Sequence, residues 1–119
     1  MYNYSDAINL LLAKFPILKS TNEYNIYDYE EYLPYVFYES VFTPYIMGKI
    51  QSSNEVELRS IFNFIEEMLS KGDAEFKNLI EVAIIESLYF EESFNEFNLF
   101  LSKYYGSLTK KSFDACVIG

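Results

Sequence analysis

Carboxylates are the only side chains in this 119-residue chain numerous enough to support acid–base or metal chemistry: there are 18 Asp and Glu and no His. The missing imidazole removes the commonest general base and the commonest nitrogen ligand together. A single cysteine, Cys116, allows neither a thiolate zinc site nor a CxxC redox pair. Gly48, Gly72, Gly106 and Gly119 are too scattered to cradle a phosphate. The adjacent pairs Glu30-Glu31, Glu66-Glu67 and Glu91-Glu92 point about 100° apart on a helix, so they do not converge on one ion and read as solvated faces. Glu86 stands among Ile84, Ile85 and Leu88 and needs a tyrosine hydroxyl, a lysine or Arg59 beside it. A structural hydrogen bond tying a loop to the hairpin is the expected arrangement there, with a partner-binding role as the other reading. No catalytic residue, metal ligand or cofactor follows from this inventory, and no enzymatic activity is expected.

One stretch combines residue types suited to binding. Tyr27, Asp28, Tyr29, Glu30, Glu31, Tyr32, Tyr35 and Glu39 place large, entropically cheap contact surfaces beside charges that steer a basic partner. Glu91, Glu92 and Glu96 form a second acidic group. A structural reading stands beside the first: Tyr32, Tyr35 and Tyr38, at helical spacing, would form the wet edge of the core. Net charge is −9 with Arg59 as the only arginine, and the doublet Lys110-Lys111 is small, so a nucleic-acid grip is not expected. An acidic surface favours a basic protein.

The elements that must position these groups are helical. In residues 54–70, Leu58, Ile61, Phe62, Ile65, Met68 and Leu69 recur at the i, i+3, i+4, i+7 spacing of one helical face. Asn54 is the predicted N-cap, with Glu57 completing a capping box. Gly72 is predicted to stop the helix in a left-handed conformation. Asp73 then caps a second helix to Leu88, antiparallel to the first, whose apolar residues nearly encircle it and make it the centre of the core. Earlier, a helix from about Asp6 to Lys14 is predicted with Ser5 as N-cap, ended by Pro16, with Phe15, Ile17 and Leu18 docking its exit. Residues 20–25 read as a loop. Pro34 opens a helix to Phe42, which Thr43-Pro44 should break or kink, Thr43 capping a restart over Pro44–Ile50. A last helix spans Ser93–Tyr105 and ends at Gly106, leaving residues 106–119 as an unassigned tail. The fold expected is all-α, a single domain of five or six helices packed as antiparallel hairpins.

Half the residues are apolar and 19% are aromatic, enough for a packed core without disulfides or metal. No stretch approaches the about 20 apolar residues that span a bilayer, and residues 1–6 lack the basic segment of a signal peptide, so a soluble cytoplasmic protein is expected.

The segment Leu33-Pro34-Tyr35-Val36-Phe37, the run Leu58-Arg59-Ser60-Ile61-Phe62-Asn63-Phe64-Ile65-Glu66-Glu67-Met68 and the run Phe76-Lys77-Asn78-Leu79-Ile80-Glu81-Val82-Ala83-Ile84-Ile85-Glu86 follow one another in an order that resembles a known family. That family is the small acidic all-helical immunity proteins of bacterial polymorphic-toxin and contact-dependent growth inhibition systems, and the resemblance covers about residues 30–105. It implies a protein that binds one cognate toxin domain, often a basic nuclease, and blocks it. Binding surfaces in that family vary, so it implies no residue roles here.

The expected function is therefore stoichiometric occlusion of a toxin with a basic surface, without nucleic acid, membrane or cofactor. Two other classes compete. An acidic phage or mobile-element protein mimicking DNA charge would line its acids along one continuous face, whereas here they are dispersed. A carboxylate metalloenzyme would need converging acids.

Overall fold

The protein is described by a computed structural model over residues 1–21, 24 and 34–118. Among those residues the apolar periodicity becomes six helices and no strand. A 3-10 turn at Tyr4–Asp6 leads into α1, Ala7–Lys14, which buries Ala7 and Leu11. Ser5 is not its cap: the entry is held instead by Asp73, whose Oδ2 accepts from the Tyr4 N–H at 3.0 Å. Pro16 ends α1 and starts a second 3-10 turn, Pro16–Ser20. Phe15 and Leu18 dock that exit as the sequence predicts, but Ile17 points outward and is 55% exposed.

The second helix, α2, covers residues 34–51 without interruption. It consists of Pro34–Phe37, a π-turn at Tyr38–Phe42 and Thr43–Gln51. Of the break or kink expected at Thr43-Pro44, the break does not occur. Thr43 is itself helical, and its N–H reaches back five residues to the Tyr38 carbonyl. The wider π-turn takes up the disruption that a proline ring causes in a regular helix. Thr43 therefore does not cap a restart; its hydroxyl donates to the Ala83 carbonyl at 2.8 Å. α2 ends at Gln51, and two residues on Ser53 is a non-glycine residue with φ 53°. That turn lets the Asn54 N–H bond the Lys49 carbonyl, closing the helix end.

Asn54 caps α3, Glu55–Lys71, accepting from the Glu57 N–H at 3.1 Å. The reciprocal half of the capping box is absent, since the Asn54 N–H is already used by Lys49. α3 buries the predicted face, together with Phe64. At its end Gly72 is extended, with φ −72° and ψ 155°, rather than left-handed. The N-terminus explains this. Tyr2 lies beside Gly72, donating to the Lys71 carbonyl and accepting from the Asp73 N–H, both at 2.8 Å. Glycine is needed here for space: a Cβ would lie 2.6 Å from the Met68 carbonyl oxygen.

Asp73 caps α4, residues 74–89, through the Phe76 N–H at 2.8 Å. α4 consists of Ala74–Ile80, a second π-turn at Glu81–Glu86 and Ser87–Tyr89. It buries Phe76, Leu79, Ile80, Ala83, Ile84, Ile85 and Leu88, and so is the core's centre. Burying each of the larger of these side chains, Ala83 excepted, contributes roughly 1.5–3 kcal/mol. α5, Phe94–Leu101, continues into a 3-10 turn at Ser102–Tyr104. The residues left as a tail form α6, Ser107–Ile118. All six helices contribute to one apolar cluster, from Ala7 in α1 through Phe42, Phe62, Phe76 and Phe94 to Phe113 in α6.

Candidate interaction surface

Many of the acids serve the fold. Glu66, read from sequence as part of a solvated face, starts α6: its Oε2 accepts from the Leu108 N–H at 3.0 Å. Its Oε1 accepts from the Thr109 N–H at 2.9 Å and the Thr109 hydroxyl at 2.8 Å. Burial pushes this carboxyl up, but the bonds from Thr109 and Leu108 outweigh it and hold it below the usual carboxylate range. Glu67 accepts from the Tyr2 hydroxyl at 3.2 Å and lies between Lys14 and Lys71. Glu55 accepts from Lys103 at 2.6 Å and from the Tyr104 hydroxyl at 2.8 Å. Asp114 pairs with Lys110 at 2.9 Å. No group of three or more acids and cysteines among the described residues is placed to hold a metal ion.

Against that background the predicted binding residues sort themselves. Tyr27, Asp28, Tyr29, Glu30, Glu31 and Tyr32 lie outside the described residues. Tyr35 is half-buried on α2, its hydroxyl accepting from the Asn78 amide at 2.7 Å and its ring 6.0 Å from that of Tyr4. Tyr38 belongs wholly to the core and donates to the Ala7 carbonyl at 2.7 Å. Glu39 is exposed on α2, while Glu91, Glu92 and Glu96 are exposed together across the α4–α5 connection and the first turn of α5. These last three make no side-chain hydrogen bond or ion pair among the described residues. Leu99, one turn beyond Glu96 on the same side of α5, is 81% exposed. An acidic face with an apolar residue at its edge results.

A second feature, invisible in the linear sequence, is a groove of about 660 Å³ between α4 and α6. Leu69, Ile85, Phe90 and Leu108 supply apolar lining, and Lys77, Glu81, Glu86 and Lys111 supply charge. Glu86 makes no side-chain hydrogen bond or ion pair among the described residues, so the structural tie expected of it is not found.

Residues 8–118 match a family described as a domain of unknown function, DUF7674. The chain belongs to that family. No curated protein and no solved structure matches it. In this DUF7674 chain, Cys116 lines the groove with its thiol pushed up by burial and then by the Glu86 and Glu81 charges. That environment disfavours the thiolate, the nucleophilic form of the cysteine. No described helix of the DUF7674 chain is long and apolar enough to cross a membrane. Sequence reasoning named the acidic face but missed the groove; the one local signal for it was the i, i+4 pair Lys77 and Glu81.

Proposed function

We propose that this protein is a stoichiometric inhibitor of the immunity type, which binds a bacterial toxin domain with a basic surface, such as a nuclease, and covers its substrate groove in the cytoplasm. Nothing turns over; the free energy goes into occlusion. The observation that carries this reading is the exposed group Glu91, Glu92 and Glu96 beside Leu99, left without partners among the described residues while Glu55, Glu66, Glu67 and Asp114 are each used within the fold. A net charge of −9 adds a long-range attraction for a cationic protein. Such steering raises association rates by roughly 10- to 1,000-fold and weakens as salt screens it. Glu39 and Tyr35 on α2 are further candidate contacts, and Tyr27, Asp28, Tyr29, Glu30, Glu31 and Tyr32, outside the described residues, are candidates on their residue types alone.

The test is co-expression of the full chain with the product of the adjoining reading frame, followed by growth measurement and binding kinetics. Protection through a one-to-one complex is expected. Replacing Glu91, Glu92 and Glu96 by lysine should slow association and flatten its salt dependence while leaving helicity intact. Absence of protection, or wild-type association by the triple-lysine variant in low salt, would count against the proposal.

A further inference from the structure

The groove between α4 and α6 has a direction. α6 begins where Leu108 and Thr109 bond Glu66, close to the hairpin corner at Gly72, and Cys116 near its end lies in the fields of Glu86 and Glu81. α6 therefore runs the same way as α4. Lys77 and Lys111 sit toward the hairpin-corner end, Glu86 and Phe90 toward the other, with Glu81 between them. At 1.5 Å per residue, positions 77 and 86 are about 13 Å apart along the helix. The ion pairs among the described residues use Lys14, Lys71, Lys103 and Lys110, so the groove's two lysines and two glutamates remain unpaired. Lys77 precedes Glu81 by four residues, the less favourable order for pairing within a helix.

We propose that this groove is a self-complementary interface which takes a second copy of the same chain. A two-fold axis across the groove exchanges its ends, laying the lysine end of each copy on the glutamate end of the other. A uniformly basic partner would be repelled by Lys77 and Lys111, and a uniformly acidic one by Glu81 and Glu86. A second copy satisfies both. Two chains of charge −9 repel over most of their surfaces, and here the two signs balance locally. Phe90, 73% exposed at the rim of the glutamate end, supplies the apolar anchor that enters the neighbour's groove at its lysine end, against Leu69 and Leu108. This interface uses different residues from the acidic face and does not depend on the inhibitor reading.

The experiment is sedimentation of the full chain at low salt up to about 0.5 mM, a range that reaches weak association. The mass should rise from 14.0 kDa toward twice that value, and added salt should lower it again. Lys77→Glu with Lys111→Glu makes the groove wholly acidic, and Glu81→Lys with Glu86→Lys makes it wholly basic. Each should associate at least about tenfold more weakly than wild type, and an equimolar mixture of the two should associate again. Phe90→Ser should weaken association with helicity unchanged, and it decides the question if either charge variant does not fold. A wild-type chain that stays at 14.0 kDa throughout would overturn the proposal. So would folded charge variants that associate like wild type, a mixture that stays monomeric, or a Phe90→Ser chain that associates unchanged.

Discussion

Glu66, in the middle of α3, closes the N-terminus of α6 by accepting two hydrogen bonds from Thr109, 43 residues further along the chain. A helix start leaves several N–H groups without intrahelical partners, and a carboxylate there also meets the positive end of the helix dipole. With the bond from Leu108, one side chain supplies what a local cap supplies elsewhere.

Replacing Glu66 should loosen α6 first. Glu66→Ala is expected to cost about 1–3 kcal/mol and to raise amide exchange in α6 before the rest of the chain. Because the folded-state pKa is lowered, this stability is present above the unfolded value of about 4.5 and is lost as pH falls through the folded value. Urea midpoints of wild type and Glu66→Ala should therefore converge as pH falls below the unfolded value and through the lower folded one.

Thr43 ties one π-turn to another. Its hydroxyl, buried on α2, bonds the Ala83 carbonyl inside the π-turn of α4. Thr43→Val keeps the shape but removes the donor, and should lower stability by about 1 kcal/mol, read as a shift of the denaturation midpoint at unchanged slope. A Thr43→Ser chain should keep most of that loss at bay.

Two glycines should respond in opposite directions to alanine. At Gly72 a Cβ would press on the Met68 carbonyl oxygen, a backbone atom that cannot step aside, and on Phe76. Gly72→Ala is expected to destabilise by about 1–3 kcal/mol and to disturb the pairing with Tyr2. Gly48, exposed on α2, has nothing within 4 Å of its added Cβ. Gly48→Ala should stabilise by about 0.5–1 kcal/mol. Thermal melts of the two variants would show the divergence.

Cys116 should react slowly with a neutral disulfide reagent at pH 7, and faster as pH rises. Burial comes first among the causes, followed by Glu86 and Glu81. Glu86→Gln should therefore speed the reaction at fixed pH in dilute solution, whereas an unchanged rate would show that the carboxylate does not act on the thiol.

Much of this architecture is legible in the sequence because helices are written locally. The apolar face of α3, the caps at Asn54 and Asp73 and the encircling apolar residues of α4 all depend on neighbours within four positions, and they fold as their spacing predicts. The acidity of residues 91–96 is likewise readable as it stands. Other features were decided by partners far away in the chain. Gly72 is extended because Tyr2 runs beside it, and Asp73 receives a bond from Tyr4 across 69 residues. Pro44 does not break α2, because a π-turn absorbs its missing donor and Thr43 turns its hydroxyl to α4. Residues 107–118 carry a weak apolar pattern and become a helix against Glu66 and the faces of α3 and α4. The groove follows from that docking, since Lys77, Glu81 and Glu86 stand on one wall and Lys111 on the other. A periodic pattern encodes which face of a helix is buried; only tertiary packing decides which face lies opposite it.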